Sequence, residues 1–345
     1  MDFEPWYQSK AADNSQILSS RVRLARNIKK YNFNRKLDES DALAITQDVE
    51  ATVKRINRRR TRDPFITHEL SGLEQQLLLE RHVVSPKFLM GKLPKKVFTD
   101  FNQNISLMIN EEDHVRIQSV CSGSDLSQAL STANKLDDSL EAHLDYAFDS
   151  KLGYLTACPT NVGTGLRASF MIHLPCLDKI DLIKKLKPFL AKNGLTLRGL
   201  YGEGTISLGS IYQISNQVTL GKTEEEIVAN LISCTNKIIE RENQIRDKIL
   251  VTRRHYLEDK VYRAYGVLTH CRRITASEAM NYLSDIRLGI LSNILELPRP
   301  LVPIYQLMIE IQPGHLHKLV EASMNERDTD IMRAEFMRLT FFNYL

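Results

Sequence analysis

The segment MINEEDHVRIQ, residues 108–118, decides how the first half of this chain folds. An apolar run leads into three consecutive carboxylates at residues 111–113, and β-type residues resume directly after them. This arrangement predicts a strand, a charged turn and a second structured edge. Three adjacent carboxylates repel one another unless cations lie near them, and Arg116 is the first candidate cation. From this segment alone, an ordinary solvated turn remains an open alternative.

Composition sets the broad class of the protein. The chain has 345 residues, of which 43% are hydrophobic and 26% charged, with a net charge of +4. This length predicts two domains with a large core, and the mildly basic balance permits anionic partners without requiring them. No apolar run approaches the ~18 residues that a membrane helix needs, and MDFEPWYQSK lacks the apolar core of a signal peptide.

The cysteines are odd in number and form no C-x-x-C pair, so we expect neither a structural zinc site nor a disulfide framework. A reducing compartment, the cytoplasm, is therefore the predicted location. The five positions are Cys121, Cys158, Cys176, Cys234 and Cys271.

A pair of arginines lies in the segment ILSSRVRLARNI, residues 17–28. On a strand, side chains alternate between faces, so Arg21 and Arg23 would share one face. Two neighbouring guanidiniums repel and favour a shared anion, and a polyphosphate fits because arginine binds phosphate oxygens bidentately. A merely charged sheet face is the alternative.

Two glycine-containing loops each lie beside an arginine. The loop ACPTNVGTG, residues 157–165, precedes Arg167, and LTLRGLYGEGT, residues 195–205, contains Arg198 and, between two glycines, Glu203. Glycine lets the backbone turn tightly and approach a ligand. A plain hairpin loop and a mobile surface loop, respectively, explain the same glycines.

Helical periodicity and capping signals place the remaining elements. Capping boxes are predicted at Thr223 with Glu226 and at Thr275 with Glu278, and ERENQIRDK is expected on a solvated helix face. The predicted helices of the first part are 38–57, 69–90 closed by Pro86, 124–148, 178–193 ended by Asn193-Gly194, and a long helix after Thr223; strands are predicted at 153–156, 166–174 and 211–221.

From about residue 252 only helical signals occur. We therefore predict one domain over residues 1–251 and a separate helical domain over 252–345. The helices expected there are 256–270, 276–296, 302–311 and 328–342, separated by Pro298, Pro300, Pro303 and Pro313-Gly314.

The run KRINRRRTR, residues 54–62, is strongly basic. Such a run could bind a nucleic-acid backbone. It could equally be a solvated helix end, where cations interact favourably with the helix dipole.

Five arginines at strand ends and loop edges accompany two glutamates. Arginines that hold a triphosphate, together with carboxylates that hold a cationic acceptor, would make a phosphoryl-transfer site. The residues concerned are Arg21, Arg23, Arg116, Arg167, Arg198, Glu112 and Glu203.

In order along residues 15–250, the motifs SSRVRLAR, NEEDHVRIQ, CPTNVGTGLRAS, RGLYGEG and YQISNQ resemble the guanidino (phosphagen) kinase family. The resemblance is closest to the bacterial protein-arginine kinases of that family. The long helical N-terminal domain of the metabolic arginine and creatine kinases is missing, and the RGLYGEG loop differs from their basic version. The resemblance implies an α+β fold: a catalytic domain with a central antiparallel β-sheet flanked by helices, plus an all-α C-terminal domain.

The resemblance also implies roles for individual residues. Glu112 and Glu203 would grip the acceptor guanidinium, with Cys158 beside it. ATP would bind with Mg²⁺ held mainly through its phosphates, and no metal site on the protein is expected. The ATP site would be lined by Ser20, Arg21, Val22, Arg23, Leu24, His82, Arg116, Arg167, Ala168, Ser169, Phe170, Met171, Arg198, Gly199, Leu200, Tyr201, Gly202 and Glu203.

The family's RDxxRA motif, proposed to bind phosphoarginine and regulate activity, is altered here to ERDTDIMRAEF. One alignment uses Thr329, Asp330, Arg333 and Ala334, with threonine in place of the first arginine. Another uses Arg327-Asp328 followed by two inserted residues. An ordinary charged helix start is the third interpretation.

By this resemblance the chain is an ATP-dependent protein-arginine kinase of stress response and protein quality control. Implied partners are proteins with exposed arginines, a zinc-containing activator, a Clp unfoldase, a heat-shock repressor and a second copy in a homodimer. A kinase of free arginine or another small guanidino compound is one alternative. A non-catalytic adaptor or nucleic-acid binder is the other.

Overall fold

The computed structural model describes residues 4–9, 15–33, 36–59, 65–68, 70, 72–200, 207–297 and 303–342. The chain divides into two compact units. The first comprises Met1–Trp6, Ser19–Phe170 and Ser215–Ile232, and the second comprises Tyr7–Leu18, Met171–Ile214 and Ser233–Leu345.

The strands of the described residues form one eight-stranded sheet and one small hairpin. Their bounds are β1 (Ile17–Arg26), β2 (Ile66–Thr67), β3 (Lys96–Thr99), β4 (Ile105–Ile109), β5 (Val115–Ser122), β6 (Phe148–Asp149), β7 (Gly153–Tyr154), β8 (Leu166–His173), β9 (Leu195–Gly199) and β10 (Ile211–Asn216). The large sheet has the order β2-β3-β4-β5-β1-β8-β10-β9, and β6 pairs with β7. From β2 through β1 in that order, neighbouring strands are antiparallel. This confirms the predicted central antiparallel sheet.

The charged turn of residues 110–114 joins β4 to β5, which confirms the predicted strand–turn–strand. Asn110 takes the left-handed conformation with φ 60°, and its amide donates to the carbonyl of His114 at 2.9 Å. The two strands align Ile109 with Val115. All five residues of β4 are buried, because that strand is apolar on both faces.

In the described part of the first unit, four complete α-helices are present: α1 (Glu39–Arg59), α2 (Gly72–Glu80), α3 (Pro86–Met90) and α4 (Leu126–Glu141). The single helix predicted over 69–90 is wrong, because Pro86 begins α3 rather than ending a helix. Ser85 caps α3 by accepting from the Phe88 amide, and proline is tolerated at a first helical position, where its missing N–H has no helical partner. The helix predicted over 124–148 ends early, at Glu141.

The basic run begins inside α1. There Lys54 pairs with Glu50 at 3.0 Å, one turn earlier on the same helix. The described part of the run, residues 54–59, is therefore a helix end, which favours the solvated-helix interpretation; residues 60–62 lie outside the described part.

Most of the later helices belong to the second unit, and α7 begins in the first. Their bounds are α5 (Pro175–Lys179), α6 (Ile183–Lys192), α7 (Glu224–Thr252), α8 (Arg254–His270), α9 (Ala276–Leu291), α10 (Ile304–Glu310), α11 (Pro313–Leu319) and α12 (Glu326–Phe342). Both predicted capping boxes are confirmed, at the starts of α7 and α9.

Two expectations about these helices are wrong, and one helix was not predicted. The helix predicted over 178–193 is two helices, α5 and α6. The predicted break at Pro313 is present after α10, but Pro313 also opens the unpredicted helix α11. Glu242, expected on a solvated face, is 2% exposed, because its carboxylate accepts the backbone N–H groups of Cys176 and Leu177 at 2.8 and 2.9 Å.

After Thr252 the described residues form helices and their connections, with α8 packed on α9 and α12 on α8. The boundary at residue 252 stays a prediction. No helix in the described ranges is both long enough and apolar enough to cross a membrane.

Candidate active site

A cluster of arginines lies on one face of the sheet in the first unit. On β1, half-buried Arg21 and Arg23 alternate with Val22 and Leu24, which are fully buried on the opposite face. The antiparallel register aligns Arg116 of β5 with Ala25, so its side chain emerges on the same face as the two arginines. The sequence therefore places three guanidiniums side by side.

Arg23 is the centre of this positive charge. Burial lowers the pKa of Arg23 well below its usual value, and the guanidiniums of Arg21, Arg116 and Arg167 lower it further, opposed only in part by Glu111. The Nε atoms of Arg23 and Arg116 are buried and have no hydrogen-bond partner among the described residues. Buried, mutually repelling donors of this kind are satisfied by an oxyanion such as a nucleotide phosphate.

The carboxylate nearest the arginines is Glu111. Its Oε2 lies 2.5 Å from Nη1 of Arg116, and its Oε1 accepts from the Ser85 hydroxyl at 2.6 Å. Burial alone raises the pKa of Glu111, but Arg116 and the hydrogen bonds outweigh it and hold the pKa below its usual value. The predicted cation is thus present, and the solvated-turn alternative is wrong because the Glu111 side chain is only 2% exposed.

Glu112 is the accessible carboxylate of the three. Its Oε1 lies 2.6 Å from the ammonium of Lys87, a surface residue on α3 whose side chain is 60% exposed. An exposed pair of this kind contributes about 0–1 kcal/mol, so an incoming cation displaces the lysine easily. Lys87 has no sequence signal that marks it as the partner.

Asp113 is buried and connects the charged turn to the Cys158 loop. Its Oδ1 accepts from the Ala157 backbone N–H at 2.6 Å and from Asn27 Nδ2 at 2.7 Å. Burial raises the pKa of Asp113 despite these hydrogen bonds. Since Glu112 precedes Asp113 and Cys158 follows Ala157, the two predicted acceptor-site residues lie on either side of one hydrogen bond.

The loop of residues 157–165 is held at further points. Cys158 Sγ lies 3.1 Å from Thr160 Oγ1, and the Cys158 carbonyl accepts from the Thr156 hydroxyl at 2.8 Å. Backbone hydrogen bonds between Tyr154 and Gly163 close the loop, which confirms the hairpin interpretation. Approach of the loop backbone to a ligand stays a prediction.

Gly165 ends this loop with φ 66°, and a Cβ there would meet Arg26 Nη1 at 2.5 Å and the Ala25 carbonyl at 2.7 Å. Arg26 donates to the Thr164 carbonyl at 3.0 Å and pairs with buried Asp137 at 2.5 Å. Only glycine permits this close approach of the loop to β1. The support by Arg26 was not predicted.

His82 neighbours the cluster. Burial, and then the charge of Arg21, lower the pKa of His82 to about 3, so the ring is neutral at physiological pH. The backbone there has φ 57°, and the carbonyl accepts from Gln118 Nε2 at 2.7 Å. The spacing of residues gave no reason to select His82; only the family resemblance did.

The remaining residues predicted for the ATP site fall into three groups. Ser20, Ala168, Ser169 and Phe170 are buried in the first unit, as are Val22 and Leu24, so their side chains are inaccessible. In the second unit, Met171 is buried and receives the Tyr305 hydroxyl at 3.0 Å, while Arg198 is exposed on β9 and is followed by half-buried Gly199 and Leu200. Tyr201, Gly202 and Glu203 lie outside the described residues.

In α12, Thr329, Asp330, Arg333 and Ala334 of the first alignment are buried, whereas Arg327 and Asp328 of the second are exposed. Arg333 donates to Asp330 at 2.7 Å and to the carbonyls of Ile311 and Ile274 at 2.8 and 2.9 Å. Thr329 is hydrogen-bonded to His317, and Ala334 is fully buried. Here Arg333 ties three helical segments of the second unit together, and its role in binding phosphoarginine stays a prediction.

The chemistry of the first unit's site follows from its donors. The clustered guanidiniums suit a polyphosphate, since the buried Nε atoms of Arg23 and Arg116 have no hydrogen-bond partner among the described residues, and an accessible carboxylate suits a cationic acceptor. Among the described residues, no group of three or more His, Cys, Asp or Glu side chains could hold a metal ion.

Two family models match the chain: ATP:guanido phosphotransferase, C-terminal catalytic domain, over residues 44–245, and Protein-arginine kinase McsB C-terminal domain over residues 254–344. The protein-arginine kinase of Bacillus cereus (strain AH187) is 43% identical over 341 residues, which cover 97% of this chain and 94% of that protein. That of Bacillus anthracis (strain A0248) has the same identity and coverage.

Solved structures show the likeness of fold. The substrate-free duplicated taurocyamine kinase from Schistosoma mansoni superposes with a TM-score of 0.59 at 24% identity, covering 72% of this chain and 37% of that one. Lombricine kinase superposes with a TM-score of 0.59 at 22% identity, covering 71% of this chain and 72% of that one. At these identities the likeness concerns the fold alone.

Proposed function

The chain belongs to the ATP:guanido phosphotransferase family, in its protein-arginine kinase branch, and we propose that it transfers the γ-phosphoryl group of ATP to arginine side chains of proteins. One observation carries this: three further guanidiniums act on the buried guanidinium of Arg23, next to a turn whose Glu112 is accessible to a cation. The 43% identity to protein-arginine kinases over nearly the whole chain supports the same acceptor.

The arginine cluster is proposed to hold the nucleotide. Arg21, Arg23, Arg116 and Arg167 would donate to phosphate oxygens, which offsets the repulsion that lowers the pKa of Arg23. ATP supplies the transferable phosphoryl group, and its bound Mg²⁺ neutralises part of the phosphate charge. Fixed guanidiniums stabilise the charge on the group in transfer without having to reorganise.

The carboxylates are proposed to hold the acceptor. An arginine side chain is protonated at neutral pH and is a poor nucleophile. Glu112, with Glu203 from the second predicted loop, would fix the guanidinium plane, align one nitrogen and favour proton loss as the bond to phosphorus forms. Orientation of this kind contributes several kcal/mol. Cys158 would lie beside the same guanidinium.

Labelling with γ-³²P-ATP tests the proposal. The protein is incubated with an arginine-rich protein and, separately, with free arginine. Acid-labile label on the protein substrate supports the proposed activity, since a phosphorus–nitrogen bond to a guanidino group hydrolyses in acid. Label only on free arginine would assign the small-molecule alternative, and no transfer to either would leave the adaptor alternative.

The cellular setting is a proposal as well. The match to the protein-arginine kinase McsB C-terminal domain supports a role in stress response and protein quality control, with a zinc-containing activator, a Clp unfoldase, a heat-shock repressor and a second copy as partners. The five cysteines are odd in number and include no C-x-x-C pair, which supports a reducing cytoplasm.

A further inference from the structure

Asp113 makes contacts that its neighbours in the acidic turn do not. The residue is 1% exposed, and its Oδ1 alone receives two donors, the Ala157 amide at 2.6 Å and Asn27 Nδ2 at 2.7 Å. Asn27 in turn donates to the Leu155 carbonyl at 3.1 Å and accepts from the His114 amide at 2.9 Å. This network joins the charged turn to the start of the 157–165 loop.

The second carboxylate oxygen of Asp113, Oδ2, differs from Oδ1 in its contacts. Asp113 Oδ2 is buried and has no hydrogen-bond partner in the described part of the chain. No arginine or lysine in that part of the chain forms a direct ion pair with Asp113, although the charge of Arg116 acts on it; Glu111 pairs with Arg116, and Glu112 with Lys87. The structure thus uses Asp113 as an acceptor at Oδ1.

We propose that Asp113 is a positioning residue that fixes the distance between the Glu112 carboxylate and the Cys158 thiol, and with it the place where the acceptor guanidinium is held. This inference rests on the proposed function. Glu112 directly precedes Asp113, and Cys158 directly follows Ala157. Loss of the Asp113–Ala157 hydrogen bond therefore releases the Glu112 side of the acceptor site from the Cys158 side. A displacement of about 1 Å reduces such a reaction about 100-fold.

Three variants separate position from charge. Asp113→Ala removes the acceptor, Asp113→Asn keeps an oxygen for Ala157 while removing the negative charge, and Asn27→Ala removes one of the two donors. Asp100→Ala is the matched control, because Asp100 is also buried and accepts one backbone amide, that of Ile105 at 3.0 Å, in the turn between β3 and β4.

Two measurements are made on the full chain. Steady-state kinetics with an arginine-containing protein give kcat and KM for the acceptor, beside ATP affinity by calorimetry. Iodoacetamide labelling of Cys158, quantified by peptide mass spectrometry, reports the loop without requiring activity. We expect Asp113→Ala to lose about 100-fold in kcat/KM for the acceptor, to keep its ATP affinity and to label faster at Cys158. We expect Asp113→Asn to stay within about threefold of the unmodified protein in every measurement, since the hydrogen bond that carries the positioning persists.

Asn27→Ala should change both measurements in the same direction as Asp113→Ala, but by less. If Asp113→Ala does not fold, Asn27→Ala replaces it as the test variant. Asp100→Ala should lower thermal stability and leave Cys158 labelling unchanged. The proposal is overturned if Asp113→Asn is as inactive as Asp113→Ala, since charge would then be the requirement. It is overturned too if Cys158 labelling is unchanged in the alanine variants. Failure of the unmodified protein to phosphorylate any arginine would instead refute the proposed function, while the labelling still decides whether Asp113 positions Cys158.

Discussion

The ammonium of Lys87 lies 2.6 Å from Glu112 Oε1, so the carboxylate proposed to bind the acceptor already has a cation on it. The lysine side chain is 60% exposed, and an exposed pair is weak and exchangeable. An arginine side chain that reaches Glu112 has to displace this ammonium, which makes Lys87 a competitor for the acceptor.

Substituting Lys87 with alanine is therefore expected to lower the KM for protein arginine by up to about fivefold, the equivalent of about 1 kcal/mol, with little change in kcat. Steady-state assays over a range of acceptor concentrations measure this. Nearby Lys92, also exposed, provides the control Lys92→Ala, which removes the same charge. A KM that rises in Lys87→Ala would mean that the lysine assists binding.

Substituting either proposed acceptor carboxylate should abolish transfer. Glu112→Gln and Glu203→Gln keep the side-chain shape and remove the charge that orients the guanidinium, so we expect kcat/KM to fall by at least about 100-fold. ATP affinity should change little, because the arginine cluster holds the nucleotide. Calorimetry beside the labelling assay checks both; ATP affinity that collapses in step with activity would argue against these roles.

We expect Arg23 to lower the stability of the free protein and to strengthen its binding of ATP. In Arg23→Met, removal of one of four clustered guanidiniums relieves repulsion, and we expect the free protein to gain about 1 kcal/mol, or 2–4 °C in Tm. The same variant should bind ATP about 10- to 100-fold more weakly, as expected for loss of a charge-assisted hydrogen bond. Thermal melts with and without ATP measure both effects, and Arg55→Met on the exposed face of α1 is the control. A destabilised free protein with normal ATP affinity would assign Arg23 a structural role.

The parts of the site that could be predicted from sequence depend on local patterns. The alternation around Arg21 and Arg23 is a property of any strand, so the shared face follows from spacing alone, and the acidic turn between two apolar runs likewise identifies β4 and β5. Capping boxes confirmed at α7 and α9 use side chains three residues apart. In each case the determining residues are close in the chain.

Contacts between residues far apart in the chain could not be predicted, because no local sequence pattern contains them. Lys87 reaches Glu112, and Arg26 supports Thr164, through pairings that no periodicity contains. Pro86 predicts a helix end from sequence although proline also begins helices, and the Ser85 cap that decides between the two is visible only in three dimensions. The sequence around Glu242 predicts a solvated side chain, because no neighbouring residue indicates that its carboxylate accepts two backbone N–H groups of α5.

His82 gives the first unit a pH dependence whose sign can be derived. Burial, followed by the Arg21 charge, lowers the pKa of His82 from 6.5 to about 3, so the folded protein keeps the ring neutral where the unfolded chain protonates it. Between pH 6.5 and about 3 the unfolded state thus binds more protons, and stability falls as the pH falls, by at most about 1.4 kcal/mol per pH unit from this group. Urea titrations from pH 7 to pH 4 should show a shallower loss in His82→Gln than in the unmodified protein, whereas His143→Gln, at an exposed histidine, should leave the slope unchanged. Identical slopes in all three proteins would mean that His82 is protonated in the folded state, and its proximity to Arg21 would then need another explanation.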